Sequence, residues 1–290
     1  MASLKSIQTT SQTIIEGYWT EERAISRHKV AVLVEGDDDK ELLEAVLSSR
    51  MKTWATSVHV IAAGGRNKVL KRLQKLSADG DGTIQFPDGY GLVDRDTWSD
   101  AEVAAQRKAL DERLYVTAGW CMESIFLDPV WLNAQFPDAA KQLAAERERW
   151  VRAGALWWVL QRTRDAQQVW QEKLPWNYGK PLERVDYSSG AAVGAALKQR
   201  IPDAVRRDAS FDLEAIGERY QSRCEEILGL TESEQWRLGV HGKAAFRNLL
   251  LPTLQQGGSP QPDNWLVELA KQLKRPLPPP IDELVGLLRI

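Results

Sequence analysis

The chain has 290 residues, of which 43% are hydrophobic and 27% charged, a composition typical of a globular protein with one large or two small domains. Its formal net charge is only -2, which excludes a uniformly basic surface, so any affinity for nucleic acid must come from a local basic face. Cys121 and Cys224 are too few for a disulfide framework or a CxxC metal site, which predicts a reducing, cytoplasmic setting. We expect no contact with a membrane, because no window reaches roughly 18 apolar residues and no leader-like start is present.

The first half of the chain alternates between short runs rich in β-branched residues and helical patterns. The predicted order is strand, helix, strand, helix, strand, helix, strand, at 29–34, 40–49, 57–63, 66–76, 90–93, 99–113 and 114–118. The second helix would place four apolar residues inward: Val69, Leu70, Leu73 and Leu76. Strands that alternate with helices of this length predict an α/β fold with a mostly parallel sheet flanked by helices.

Beyond about residue 130 the pattern changes to long helices, with breaks near 174–181, at Pro202 and around 255–264. The predicted organisation is therefore an N-terminal arm, an α/β domain and a helical C-terminal region, at 1–27, 28–130 and 131–290. The 12 tryptophans invite an interpretation as base-stacking residues. Packing between helices is the simpler explanation, since three of them fall in one helical pattern: Trp150, Trp157 and Trp158.

Acidic residues follow three of the predicted strands. Glu35 follows the first strand, Asp94 and Asp96 the third, and Glu123 comes shortly after the fourth. Ligands of an open parallel sheet bind at the carboxyl ends of its strands. In extended backbone, alternate residues share a face, so Asp94 and Asp96 would converge while Arg95 points elsewhere. Carboxylates this close together repel unless a cation lies between them, and Mg²⁺ or Mn²⁺ prefers such oxygen ligands.

Each of these acids also has a structural explanation when taken alone. Asp37 to Asp39 could cap the helix that follows them, and for Asp37 and Asp38 this is the better explanation. Glu123 could pair with a surface base. For Glu35 and the Asp94-Arg95-Asp96 segment, a divalent-metal site is the better explanation, because these acids come directly after apolar runs at strand ends.

Three motifs carry a family resemblance. VLVEGDDDKELL, GLVDRD and WCMESIFLDP, in this order and spacing, resemble the glutamate, Asp-x-Asp and later glutamate motifs of the TOPRIM fold. Together with the Gly-Gly-Arg-Asn turn and the HGK motif at 241–243, they resemble the PARIS-like TOPRIM effectors that accompany ABC-type ATPases in bacterial anti-phage defence. The resemblance covers 30–130 and, more weakly, 231–255. Trp98 stands where topoisomerases have the third acid of DxDxD, which argues against a topoisomerase or primase.

The resemblance implies a metal-dependent nuclease in which Mg²⁺ or Mn²⁺ is held by Glu35, Asp39, Asp94 and Asp96, with Glu123 completing or orienting the site. The role of Asp39 as a metal ligand is implied only by the related overcoming-lysogenisation-defect nucleases, in which an acid four residues after the first glutamate binds metal. The resemblance also implies a toxic defence effector that an ABC-type ATPase partner restrains. RNA, with transfer RNA among the candidates, is favoured over DNA as the substrate.

Basic residues near the predicted crevice are candidates for contact with phosphate. The turn at 64–67 opens a helix whose N-terminal amides and dipole suit a phosphate, and Arg66 and Lys68 add positive charge there. Arg66 is the stronger of the two, because it lies nearest the crevice. Lys243 begins a later amphipathic helix and has two open interpretations: it enters the catalytic crevice and neutralises charge on a phosphate, or it is an exposed residue at a helix cap.

The sequence is also compatible with two other classes of function. One is a non-catalytic subunit whose TOPRIM fold binds nucleic acid or protein, and the other is a metal-dependent phosphotransferase or phosphatase. Neither Tyr90 nor Ser124 has a neighbouring base in the sequence, so no covalent intermediate is predicted. The helical half carries enough apolar surface for a homodimer.

Overall fold

The computed structural model describes residues 30–78, 89–165, 181, 185–200, 212–256, 264–273 and 277–288. The predicted N-terminal arm at 1–27 and the predicted break at Pro202 lie outside these residues. Within the described ranges, no helix is both long and apolar enough to cross a membrane.

Four strands form one parallel sheet in the order β2-β1-β3-β4, with β1 at Val30–Val34, β2 at Val58–Ala62, β3 at Gly89–Val93 and β4 at Leu114–Val116. All five residues of β1 are buried, as expected for a central strand of a parallel sheet that is covered on both faces. At the carboxyl end of β1, Val34 pairs with Ala62 on one side and with Leu92 on the other. The predicted parallel sheet is confirmed.

The helices, numbered in chain order, are α1 (Asp37–Arg50), α2 (Trp54–Ser57), α3 (Arg66–Ala78), α4 (Asp100–Ala109), α5 (Pro129–Gln135), α6 (Pro137–Asp165), α7 (Gly190–Arg200), α8 (Leu213–Leu228), α9 (Glu232–Gly239), α10 (Gly242–Ala245), α11 (Leu251–Gln256), α12 (Trp265–Gln272) and α13 (Pro279–Leu287). A 3₁₀ helix spans Met122–Leu127, and a π-helical turn at Phe246–Leu250 joins α10 to α11. All strands in the described residues precede residue 117, so the α/β fold with a helical C-terminal region is confirmed.

The described residues fall into two compact units. The first contains the residues up to Val93, the stretch Asp100–Val116 and the residues from Ala270 onward; the second contains Asp94–Ser99 and Thr117–Leu269. In the first unit, α1 packs on β2, α3 packs on β3, and both α4 and α13 lie against β4. Arg50 at the end of α1 donates from Nη2 to the carbonyl oxygen of Leu273 at 2.8 Å. The C-terminal segment therefore belongs to the same unit as the sheet.

Close packing of α3 on the sheet depends on Gly91 in β3. A Cβ atom at this position would lie 2.7 Å from Leu73 Cδ1 and 2.8 Å from Val69 Cγ1, so only glycine lets the helix approach this closely. Val69 and Leu73 are fully buried, as predicted, whereas Leu70 is only half-buried. The side chain of Leu76 lies outside the described residues.

The core of the second unit forms where α6, α7 and α8 pack together. A Cβ atom on Gly190 of α7 would lie 2.3 Å from the carbonyl oxygen of Gly217 in α8, so these two helices cross in near backbone contact. Trp150 is buried, and Trp158 packs against this core, with the guanidinium carbon of Arg223 4.7 Å from its ring centroid. The prediction that these indoles pack between helices is confirmed for Trp158.

Candidate metal centre

Glu35 directly follows β1 and anchors the turn that comes after β2. Its carbonyl oxygen accepts hydrogen bonds from the N–H groups of Gly64 at 2.9 Å and Gly65 at 2.7 Å. These glycines have φ values of +82° and +115°, which other residues rarely adopt. The expectation that these amides are available to a phosphate is therefore wrong for Gly64 and Gly65, because the fold itself uses both.

The Glu35 carboxylate pairs with the first residue of α3. Arg66 Nε donates to Glu35 Oε1 at 3.3 Å, within the first unit. The structure thus places Arg66 beside the first predicted metal ligand. Lys68 is an exposed residue in the first turn of α3. Its ammonium group lies 3.0 Å from the position that a Cβ atom on Gly64 would occupy.

Asp39 is buried in the first turn of α1. Its Oδ2 atom accepts the N–H of Gly36 at 2.9 Å, so it closes the N-terminus of the helix. The helix begins at Asp37, earlier than predicted, which places Asp37 and Asp38 within its first turn, where their charges suit the helix dipole. The capping hydrogen bond assigned to these two residues is made by Asp39, and this corrects the sequence interpretation.

The Asp-Arg-Asp segment after β3 belongs to the second unit. Asp94 Oδ1 accepts the N–H of Met122 at 3.0 Å, which ties this segment to the 3₁₀ helix. Asp96 has a φ of +47° and donates its N–H to the carbonyl oxygen of Trp120 at 2.8 Å. The expectation of extended backbone across Asp94 and Asp96 is therefore wrong: the chain turns at Asp96 in the left-handed region, which aspartate tolerates better than most residues.

Glu123 is the most deeply buried of the predicted metal ligands, with 2% of its surface exposed. Its Oε1 atom lies 3.8 Å from Lys243 Nζ. No hydrogen-bond partner reaches its Oε2 atom among the described residues. A buried carboxylate oxygen without a partner is energetically costly. A group that offers positive charge or a hydrogen bond to this oxygen would lower that cost.

The segment that carries Lys243 packs directly on the 3₁₀ helix. A Cβ atom on Gly242 would lie 2.3 Å from Ser124 Oγ and 2.8 Å from Cys121 Sγ, so the close approach requires glycine. The N–H of Lys243 donates to Cys121 Sγ at 3.1 Å. Lys243 itself faces Glu123, whereas the cap of α10 is made by His241. The predicted action of Lys243 on a phosphate stays a prediction.

His241 has a structural role in this segment that the sequence did not predict. Its Nδ1 atom accepts the N–H of Ala244 at 3.3 Å, and its ring lies 5.5 Å from that of Trp120 and 5.0 Å from that of Trp157. Burial lowers the pKa of His241 to about 4, against the opposing charge of Asp96. The imidazole is therefore neutral near pH 7, as its role as hydrogen-bond acceptor requires.

Replacement of His241 by Asn is expected to remove a pH dependence of stability. The folded pKa lies below the unfolded value of about 6.5, so the unfolded chain binds the proton first as the pH falls. The contribution of neutral His241 to the free energy of unfolding is complete above about pH 6.5 and is lost as the pH falls towards 4. About 2 kcal/mol is lost near pH 5. Asparagine keeps a capping acceptor but does not titrate. Urea unfolding of both proteins at several pH values checks this; a stability difference that does not vary with pH would contradict it.

The structure places the predicted site residues in two sets. Glu35, Asp39, Arg66 and Lys68 belong to the first unit, whereas Asp94, Asp96, Glu123 and Lys243 belong to the second. Considering only the residues that the structure describes, no three or more His, Cys, Asp and Glu side chains are grouped closely enough to hold a metal ion as they stand. Arg66 pairs with Glu35, and Lys243 lies against Glu123.

No protein-family model matches the chain, and no curated protein matches it.

Proposed function

We propose that this chain is a nuclease that cleaves phosphodiester bonds with the help of Mg²⁺ or Mn²⁺, held by Glu35, Asp94 and Asp96 together with Asp39 and Glu123. The observation that carries the proposal is the buried Glu123 carboxylate, whose Oε2 atom has no hydrogen-bond partner in the described part of the chain. A divalent cation would satisfy this oxygen and offset the cost of burying it.

The contacts of Asp94 add support. Asp94 bonds to the backbone N–H of Met122, the residue before Glu123, so the two acids are held on neighbouring stretches of the second unit. Burial raises the pKa of the Cys121 thiol, and the charges of Glu123 and Asp94 raise it further, as expected for carboxylates near this thiol. This region therefore has the oxygen ligands that a hard cation prefers.

The sheet topology supports the assignment of Glu35. β1 and β3 are adjacent parallel strands in which Val34 pairs with Leu92, and Glu35 and Asp94 are the next residues after these strands. The carboxyl ends of adjacent parallel strands form one edge of a sheet, which is where ligands of such folds bind.

A divalent cation, when bound, would activate water for attack and stabilise charge on the phosphate. The cationic residues of the chain would contribute separately. Lys243 and Arg66 already lie beside acids of the site and would neutralise phosphate charge. Lys68, exposed on the same helix as Arg66, would contact the nucleic-acid backbone.

The biological setting that we propose rests on the family resemblance alone. It is that of a cytoplasmic defence effector, with RNA favoured over DNA, an ABC-type ATPase as partner and a homodimer as the assembly. Co-purification with an ATPase encoded beside this chain would support the setting. Recovery of the chain without such a partner would count against it.

The deciding experiment incubates the purified protein with end-labelled RNA and DNA pools in Mn²⁺, in Mg²⁺ or in EDTA. We expect cleavage in the presence of either metal, with RNA cut faster, and none in EDTA. No cleavage of either pool, combined with no Mn²⁺ binding by calorimetry, would instead indicate a non-catalytic binding subunit. Turnover of a small chromogenic phosphoester without cleavage of either pool would indicate a phosphatase.

A further inference from the structure

Cys121 lies at the point where the Lys243 segment meets the 3₁₀ helix. The thiol is buried, and its Sγ atom accepts the backbone N–H of Lys243 at 3.1 Å. It also lies 3.8 Å from Ser124 Oγ. These contacts bring Lys243 close to Cys121 and Ser124, which lie on either side of Glu123 and are far from Lys243 in the sequence.

The sulfur atom of a cysteine can accept a hydrogen bond from a backbone amide, which is the role that Cys121 has towards Lys243.

The neighbouring contacts show that the position of the Lys243 backbone is fixed tightly. Gly242 packs on Ser124 so closely that a Cβ atom has no room, and His241 caps the helix that begins there. The hydrogen bond to Cys121 is the contact made by the Lys243 backbone itself. Loss of the sulfur atom would therefore release Lys243 more directly than it would release its neighbours.

We propose that Cys121 is a positioning residue, whose sulfur holds the Lys243 backbone so that the ammonium group stays against the buried Glu123 carboxylate. The effect on turnover rests on the nuclease function proposed above. The effect on the position of Lys243 does not, and it can be measured in the metal-free protein.

The test compares full-length Cys121→Ala, Cys121→Ser and wild type, with Cys224→Ala as the matched control. Cys224 is also buried, but it lies beside Tyr220 and Arg152 in α8 and α6. Hydrogen exchange in the absence of metal is measured by NMR at the Lys243 amide. We expect exchange to be about 3- to 10-fold faster in Cys121→Ala, as for loss of one hydrogen bond. Cys121→Ser should restore part of the protection, because its hydroxyl is also an acceptor.

A second measurement follows the side chain. Reductive methylation of lysines, read by mass spectrometry, should modify Lys243 faster in Cys121→Ala than in Cys224→Ala. Lys141, which is 80% exposed, serves as the internal reference. Unchanged exchange and unchanged methylation of Lys243 in Cys121→Ala would overturn the proposal.

Cleavage assays then separate the two proposals. If wild type cleaves RNA, Cys121→Ala should lower kcat about 10-fold with little change in KM, and Cys121→Ser should recover part of it. A wild-type protein that does not cleave would overturn the nuclease function, whereas the exchange and methylation data would still decide the role of Cys121. Unchanged kcat in an active protein would overturn the positioning role even if the amide exchanges faster.

Discussion

Replacing Asp94 by Asn, or Glu35 by Gln, is expected to lower metal-dependent cleavage on the order of 10³-fold or more. Each change removes the negative charge that a divalent cation requires but deletes no volume. The folded state should tolerate both changes. Asparagine keeps an oxygen to accept the Met122 N–H, which lies 3.0 Å from Asp94 Oδ1. Glutamine keeps an oxygen for Arg66 Nε, which lies 3.3 Å from Glu35 Oε1.

Three measurements make this prediction specific. Cleavage of labelled RNA measures the loss of activity, and circular dichroism shows whether the fold is retained. Calorimetry with Mn²⁺ measures the loss of metal affinity. Asp138→Asn is the matched control, because the Asp138 side chain is 97% exposed on α6. Full activity in both the Asp94 and Glu35 variants would contradict the assignment of these acids as metal ligands.

Replacing Lys243 by Met is expected to destabilise the metal-free protein by about 2 kcal/mol, because it leaves the Glu123 carboxylate buried without a counter-charge. Fully buried pairs lose more when broken, but Lys243 is 35% exposed and its ammonium lies 3.8 Å from the carboxylate, which lowers the expected loss. The same change should lower kcat on the order of 10²-fold, as for the loss of one charge-stabilising group.

A change at the partner residue Glu123 should have a different effect on stability from the change at Lys243, and this difference tests whether the buried charge is the cause. Glu123→Gln removes the buried charge and leaves Lys243 partly in water, so it should cost less stability than Lys243→Met. The double variant should be more stable than Lys243→Met alone, since its buried group is neutral. Urea unfolding in EDTA measures all three, with Lys141→Met as the exposed control. Purely additive effects of the two single changes would contradict a direct interaction of Lys243 with Glu123.

The strands and the acids that follow them were readable from the sequence. Short runs of β-branched residues such as 30–34 have few alternatives to a buried strand, and the structure places β1 there. The acids after β1 and β3 could be located because they follow those runs directly. Their pairing with Mg²⁺ or Mn²⁺ stays a prediction.

The local backbone and the long-range contacts of the site could not be read in this way. Nothing in the Asp-Arg-Asp motif distinguishes an extended segment from the left-handed turn at Asp96, which is fixed by a hydrogen bond to Trp120. The contact of Lys243 with Glu123 joins residues far apart in the sequence, and no periodic pattern reports it. The HGK motif was the available signal for His241, but it did not indicate a helix cap whose ring contacts two indoles.

The position of α13 has a consequence for biosynthesis. This helix lies against β4 and belongs to the unit that contains the sheet, yet the whole stretch Thr117–Leu269 is translated between them. A nascent chain that has not yet reached α13 lacks one of the two helices that lie against β4, and Arg50 still lacks the Leu273 carbonyl to which it donates. Since domains fold as units, the packing of the first unit is completed only after the ribosome has produced the stretch Thr117–Leu269 and then α13.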